Sequence, residues 1–203
     1  MKKILVLNFF PAFRPATSGG ELRYFHLYKN LSEYHDITLL SPTNNDSKME
    51  IIEHSNSFRE YRIPKEDIHN KIHWKLEEED FSLEFSALTC AYSADFLNEY
   101  HRYYLKLYPD AEIIIHDSPY MLNYDLFFGM DNKPRVYNSY NLEYDLLKQI
   151  YSGKNAKKHL DFIFQLEKRL VSKAQIVFAT SEIEKYKFQE LYHISSSSIK
   201  LAP

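Results

Sequence analysis

Lys3-Ile4-Leu5-Val6-Leu7-Asn8, followed after a loop by Gly19-Gly20-Glu21-Leu22-Arg23, is the stretch that decides the fold. The first run is continuously apolar over strand length. Beyond the glycines, Leu22, Phe25, Tyr28 and Leu31 recur at helical spacing, with Tyr24 and Leu27 beside them. This predicts a buried strand, a loop and then a helix over 21–31. The chain has only 4 glycines in 203 residues, so two in succession call for a reason. Without side chains, backbone N–H groups can approach a phosphate or a sugar closely, and the helix N-terminus adds partial positive charge.

The same alternation continues outward. Short apolar runs predict strands at 36–40, 59–63, 112–116, 135–139, 175–180 and 199–201, the first two stopped by Ser41-Pro42 and Pro64. Helical spacing fills the gaps at 94–107, 142–150, 157–172 and 182–192. Strands apolar on both faces and alternating with helices predict an α/β fold over 1–203. It is a doubly wound, Rossmann-like parallel sheet with helices on both faces. Ligands of such sheets sit beyond the carboxyl ends of the strands, where strand order reverses. Residues 44–56 read as a polar loop or short helix, and Ser195 to Ser198 as a turn. The stretch 67–86, with His69, His73, Trp74 and the acidic run Glu77-Glu78-Glu79-Asp80, gives no clear assignment.

Net charge is -3, which argues against a general nucleic-acid binder. The single cysteine, Cys90, excludes an internal disulfide and a multi-cysteine metal site, and reads as a small buried apolar residue of a reducing compartment. The apolar start after Met1-Lys2-Lys3 looks like a signal peptide, but Asn8 interrupts it and Pro11 stops it. With 17 tyrosines and 14 phenylalanines scattered along the chain, aromatic residues are mostly core. His69 and His73 have i, i+4 spacing but lack the other ligands of a metal site, so neither metal nor cofactor is expected. No Walker A, G-x-G-x-x-G, H-E-x-x-H or G-x-S-x-G motif occurs.

Polar residues gather where the strands end: His116-Asp117-Ser118, Asn138-Ser139-Tyr140-Asn141 and Thr180-Ser181-Glu182. Ser118, Asn141 and Ser181, and Asp117 with them, also suit plain helix N-caps. His116 follows Ile113-Ile114-Ile115 and is expected at the mouth of the crevice as the catalytic candidate; a satisfied structural histidine is the competing reading. Gly19, Gly20, Glu21, Asp117, Tyr140, Asn141 and Ser181 are the substrate-binding candidates.

Taken in order, these residues resemble the N-terminal half of a GT-B glycosyltransferase of the retaining family-four type, the glycogen-synthase and mannosyltransferase kind. The stretches that carry the resemblance are 3–7, 19–23, 27–31, 35–40, 110–117, 136–143, 167 with 174–182, and 199–203; only about 43–90 lies outside it. The resemblance implies an acceptor-side domain facing a second, nucleotide-sugar domain outside this chain, with the isolated chain inactive. Gly19 and Gly20 would offer N–H groups to the donor diphosphate, and His116 would lie beside the transferred sugar. No protein nucleophile is nominated. Tyr140 departs from relatives that carry histidine in a Ser-His-Asn-Val-Glu sequence, and tyrosine does not act as a base near neutral pH. The implied partners are a nucleotide-sugar donor and a glycan or lipid-linked acceptor of cell-envelope polysaccharide biosynthesis, with no nucleic acid. The implied place is the cytoplasm, with peripheral contact at the inner face of the membrane. The basic stretch Lys148, Lys154, Lys157, Lys158, Lys168, Arg169 and Lys173 reads as a solvated helix face, with a weak membrane contact as the alternative. A non-catalytic sugar- or nucleotide-binding module and half of a GT-B sugar epimerase are the competing functions.

Overall fold

The computed structural model describes residues 1–12, 16, 18–44, 47–79 and 86–202. Asp80 of the acidic run and Pro203 of the resemblance lie outside the described residues. The chain runs β1 (Lys3–Leu7), α1 (Gly19–Leu31), β2 (Asp36–Thr43), β3 (Glu50–Ser55), β4 (Phe58–Pro64), α2 (Asp67–Glu77), α3 (Ser86–Ser93) and α4 (Glu99–Leu107). It continues through β5 (Ile113–His116), α5 (Leu122–Leu126), β6 (Arg135–Asn138), α6 (Glu143–Ile150), α7 (Ala156–Lys173), β7 (Ala174–Ala179), α8 (Glu182–Tyr192) and β8 (Ile199–Leu201).

The strands form one sheet in the order β3-β4-β2-β1-β5-β6-β7-β8, parallel except for the β3–β4 hairpin. Strand order reverses at β1, which pairs with β2 on one side and β5 on the other. The alternation of side chains across a strand sorts the core into two layers. Ile4, Val6, Ile37, Leu39 and Ile115 pack under Tyr24, Phe25 and Tyr28 of α1. Leu5, Leu7, Leu40 and Ile114 pack on the other face against Cys90 of α3 and Tyr100 and Tyr104 of α4. Each such aliphatic side chain, buried on both sides of the sheet, contributes about 1.5–3 kcal/mol. Burial also pushes the Cys90 thiol up to about 11. The fold is the expected doubly wound α/β sheet with helices on both faces.

Three segments differ from the sequence reading. β2 runs through Ser41-Pro42 to Thr43. Its pairing with β1 ends at Leu40, so proline meets a partner strand on one side only, where its missing N–H is tolerated. The expected loop over 44–56 contains β3, an edge strand so exposed that no apolar face marks it. The expected helix over 94–107 starts only at Glu99, because Asn98 Oδ1 accepts the Tyr100 N–H at 3.1 Å and caps a new helix. Phe96 and Leu97, whose apolar character fits the expected helix face, are 52% and 70% exposed. Among the described residues, no helix is long and apolar enough to cross a membrane and no cluster of ligands suits a metal ion. His69 instead closes a capping box on α2, accepting the Glu66 N–H at 3.0 Å, and its other nitrogen meets Tyr124 Oη at 3.2 Å.

Candidate functional site

Three structures meet at the carboxyl edge beside β1: the N-terminus of α1, a polar hub under that helix, and an apolar cleft.

Helix α1 begins at Gly19 itself, two residues earlier than its apolar spacing indicates. Ser18 is the N-cap, its Oγ accepting the Glu21 N–H at 3.2 Å. Neither Gly19 nor Gly20 has the positive φ that would demand glycine. Among the described residues, a Cβ on Gly19 would meet nothing within 4 Å, and one on Gly20 only Ser18 Oγ at 3.9 Å. The described residues therefore give no internal reason for the missing side chains.

The hub centres on Asp117, the residue after β5. It is buried on the α1 face and accepts hydrogen bonds from Tyr28 Oη at 2.5 Å, Asn138 Nδ2 at 2.7 Å and Tyr140 Oη at 2.7 Å. Burial lifts its carboxyl to about 6, with these three donors pulling the other way. Arg23 closes the hub from above. Its guanidinium lies 4.6 Å over the Tyr140 ring and donates to Asn138 Oδ1 at 3.3 Å and to the Ala202 carbonyl at 3.0 Å. Arg23 thereby ties α1 to the segment that leaves β8.

His116 points to the opposite face of the sheet, as its neighbouring position on β5 requires. The expectation of a histidine at the crevice mouth meets a side chain that is fully buried. Its Nε2 lies 2.8 Å from Asp125 Oδ2, and Asp125 also takes two bonds from Arg135, at 2.6 and 2.8 Å, and one from Tyr104 Oη. His116 Nδ1 is buried without a hydrogen-bond partner among the described residues.

The cleft, about 440 Å³, lies between Phe9 and Phe10 after β1, Ser18 and Glu21 of the α1 start, Ser86 and Ala87 of α3, Tyr120, and α6 with Tyr151 beyond it. Glu143, Leu146, Leu147 and Ile150 form the α6 wall. A hollow of about 200 Å³ lined by Lys3, Asp36 and Arg59 sits at the amino ends of the strands, the edge at which sheets of this kind do not bind ligands. Glu143 Oε2 accepts from Tyr120 Oη at 2.8 Å. Burial, and then the charge of Glu167, push the Glu143 carboxyl up to about 8, Tyr120 acting against them and Glu184 with them.

Glu167 of α7 explains why Asn141 is not the cap it was expected to be. The N-cap of α6 is Leu142, which has no side chain to serve. The buried Glu167 carboxylate accepts the N–H groups of Glu143 at 3.0 Å and Tyr144 at 2.9 Å, together with Tyr137 Oη at 2.7 Å and Tyr192 Oη at 2.6 Å. A side chain from another helix satisfies the orphan donors. Asn141 sits exposed on the turn, its carbonyl accepting from Ser139 Oγ. Ser118 precedes a 3-10 turn, but its hydroxyl makes no capping bond. Ser181 is a true N-cap of α8, accepting the Glu184 N–H at 3.2 Å, while Glu184 reaches back to the Thr180 N–H at 2.8 Å.

Of the sequence candidates, Gly19, Gly20 and Glu21 come together at the α1 start, with Glu21 in the cleft. Asp117 and Tyr140 come together in the hub. Asn141 and Ser181 join neither, and His116 lies across the sheet. Tyr28, Arg23, Asn138, Tyr120 and Glu167 were not singled out. Their signal is weak, since a tyrosine on the core face of a helix reads as packing until its hydroxyl finds a buried carboxylate.

No protein-family model matches the chain, and no curated protein is similar to it in sequence at a significant level. Solved structures do match. All of this chain superposes on 48% of sucrose-phosphate synthase from Thermosynechococcus elongatus, with TM-score 0.63 and 15% identity. It superposes on 88% of a shorter chain of that synthase, with TM-score 0.57 and 13% identity. It also superposes on 48% of the trehalose-6-phosphate structure from E. coli bound with UDP-2-fluoro glucose, with TM-score 0.56 and 10% identity. The chain thus spans about half the length of full-length structures it matches, and its fold is that of one half of a GT-B glycosyltransferase.

Proposed function

We propose that this chain is the acceptor-side half of a retaining, family-four-like glycosyltransferase. It transfers a hexosyl group from a nucleotide-sugar to a glycan or lipid-linked acceptor of the cell envelope, in the cytoplasm and at the inner face of the membrane. A second Rossmann-like domain holds most of the donor. The observation that carries the reading is the α1 N-terminus. Two glycines that the described residues around them do not require stand at the strand-order reversal, beside a cleft.

In this reading the Gly19 and Gly20 amides and the α1 dipole meet the donor diphosphate and stabilise the negative charge that grows as it leaves. Asp117, held by Tyr28, Asn138 and Tyr140, fixes the floor under that helix. His116 stays the catalytic candidate that the resemblance implies, its ring held by Asp125 through Nε2 and its Nδ1 buried without a partner among the described residues. Ser181, which caps α8, and Asn141, exposed on the turn before α6, stay as the remaining substrate-binding candidates. No side chain is assigned as nucleophile.

The test is to express the longest reading frame that contains this sequence and measure nucleoside-diphosphate release from a panel of nucleotide-sugars with and without acceptors. Acceptor-dependent release supports the reading, and the 203-residue chain alone should give none. Binding of sugars with no release from any donor would instead favour a non-catalytic module.

A further inference from the structure

We propose that the cleft between α1, α3 and α6 selects an uncharged sugar carried on an apolar aglycone, with Glu143 holding a hydroxyl of that sugar. The inference rests on the transferase reading for the role of the sugar, and on the cleft alone for its chemistry.

The lining is aromatic and aliphatic: Phe9, Phe10, Ala87, Leu147 and Ile150 surround the space. Ile150 is 53% exposed although it closes the second turn of α6, so an apolar wall continues out from the cleft into solvent. A wall of this kind gains by covering hydrocarbon and offers little to a bare sugar. Glu143 supplies the polar contact. One of its oxygens is committed to Tyr120, and Oε1 has no hydrogen-bond partner among the described residues. Burial and two facing carboxyls, Glu167 from α7 and Glu184 from α8, disfavour charge, while the bond from Tyr120 in the turn after β5 favours it; Glu21 stands across the cleft on α1. A carboxyl that keeps its proton can donate to a sugar oxygen without bringing a counter-ion into an apolar wall.

Among the described residues, no lysine, arginine or histidine lines the cleft. Among the described residues of the lining, a phosphate on the acceptor would meet the acidic side chains Glu21 and Glu143. The start of α1 borders the same space, so a hydroxyl held at Glu143 lies on the side from which a donor at Gly19 would be approached.

The experiment titrates the 203-residue chain with n-octyl β-D-glucoside below its micelle concentration, with phenyl and methyl β-D-glucosides, and with glucose 6-phosphate. Calorimetry gives the affinities, and thermal melts check the fold. Octyl glucoside should bind at least about tenfold more tightly than methyl glucoside. The phenyl compound separates a flat aromatic aglycone from a lipid-like chain by which of the two binds better. Ile150→Ser should erase the octyl advantage without changing the melt or the methyl affinity. Glu143→Ala should weaken all neutral glucosides by about three- to tenfold, and Glu143→Gln should restore most of that loss. Equal affinity for octyl and methyl glucosides, or tighter binding of glucose 6-phosphate, overturns the apolar-aglycone assignment. Glu143→Ala without effect overturns the role of Glu143. The transferase reading fails separately, when octyl glucoside binds as expected but the longer protein releases no nucleoside diphosphate from any donor with it.

Discussion

His116 Nε2 lies 2.8 Å from Asp125 Oδ2, and the Arg135 guanidinium grips the same carboxylate at 2.6 and 2.8 Å. Burial alone would push the Asp125 carboxyl up, but the bonds from His116 and Arg135 outweigh it and hold it well below the usual range. Asp125→Asn leaves Arg135 buried with only Asp131 as counter-charge, and should cost about 3–5 kcal/mol. His116→Ala removes one bond from a carboxylate that keeps Arg135 and Tyr104, and should cost about 1–3 kcal/mol. Chemical denaturation measures both. A group whose folded pKa is depressed stabilises above its unfolded value, near 3.9, and the benefit fades as pH falls through the folded one. The Asp125→Asn deficit should therefore shrink in strong acid. A larger loss from His116→Ala than from Asp125→Asn would show that the network is not centred on the carboxylate. If His116→Ala keeps its fold and the longer protein keeps full turnover, His116 has no part in the chemistry.

Gly19→Ala separates stability from function. Alanine is the better helix former, the backbone φ is ordinary, and the new Cβ meets none of the described residues within 4 Å. The variant should gain about 0.4–1 kcal/mol in stability. In the longer protein its turnover should fall at least about tenfold, because a methyl group would stand between the amide and the diphosphate. Higher stability with unchanged turnover would remove the glycine pair from the site.

The sheet was legible because its central strands are buried on both faces. Ile4 to Leu7 and Ile113 to Ile115 are apolar without interruption, which few other environments produce. β3 was hidden for the opposite reason, since an edge strand exposed on both faces carries no pattern. Ser181 as a cap was readable because Ser-x-x-Glu is a local device, Ser181 and Glu184 being one turn apart. Asn141 misled because the capping group of α6 comes from Glu167, 24 residues away from Glu143. Asp117 was found from its place at a strand end. Its partner Tyr28, 89 residues distant, was visible only as one more aromatic on the core face of α1.

Glu143 gives a pH signature that a purely structural carboxylate would not. Burial pushes its carboxyl up to about 8, well above the ordinary glutamate range. A raised pKa means that the folded state holds the proton longer, so stability is full below the unfolded value and is lost as pH rises through the folded one. Between pH 5 and 8 the wild-type chain should lose stability with a slope of up to about 1.4 kcal/mol per pH unit for this one proton. Glu143→Gln, which cannot ionise, should flatten that part of the profile, while Glu167, whose carboxyl burial also raises, remains beside it. Denaturant midpoints across this range decide the matter. An unchanged slope would mean that Glu143 is already ionised at neutral pH, and that the cleft wall carries charge.

Tyr28 and Tyr140 bond the same carboxylate, so their loss should depend on its charge. Asp117, raised to about 6 by burial, is largely neutral at pH 5 and ionised at pH 8. Its own contribution runs with the raised sign, present in acid and lost as pH climbs from near 4 through about 6. The donors moderate that loss, because a hydrogen bond to a carboxylate is worth about 1.5–3 kcal/mol against about 0.5–1.5 kcal/mol for a neutral acceptor. Tyr28→Phe should therefore cost about 1 kcal/mol at pH 5 and roughly twice that at pH 8. Tyr140→Phe should behave alike but more weakly, since its ring keeps the Arg23 guanidinium 4.6 Å above it. The double variant should lose more than the sum at pH 8, because Asn138 Nδ2 is then the last side-chain donor to a buried charge. A cost independent of pH for both single variants would show Asp117 in one protonation state throughout, and the hub would then be a fixed brace under α1 with no titrating centre.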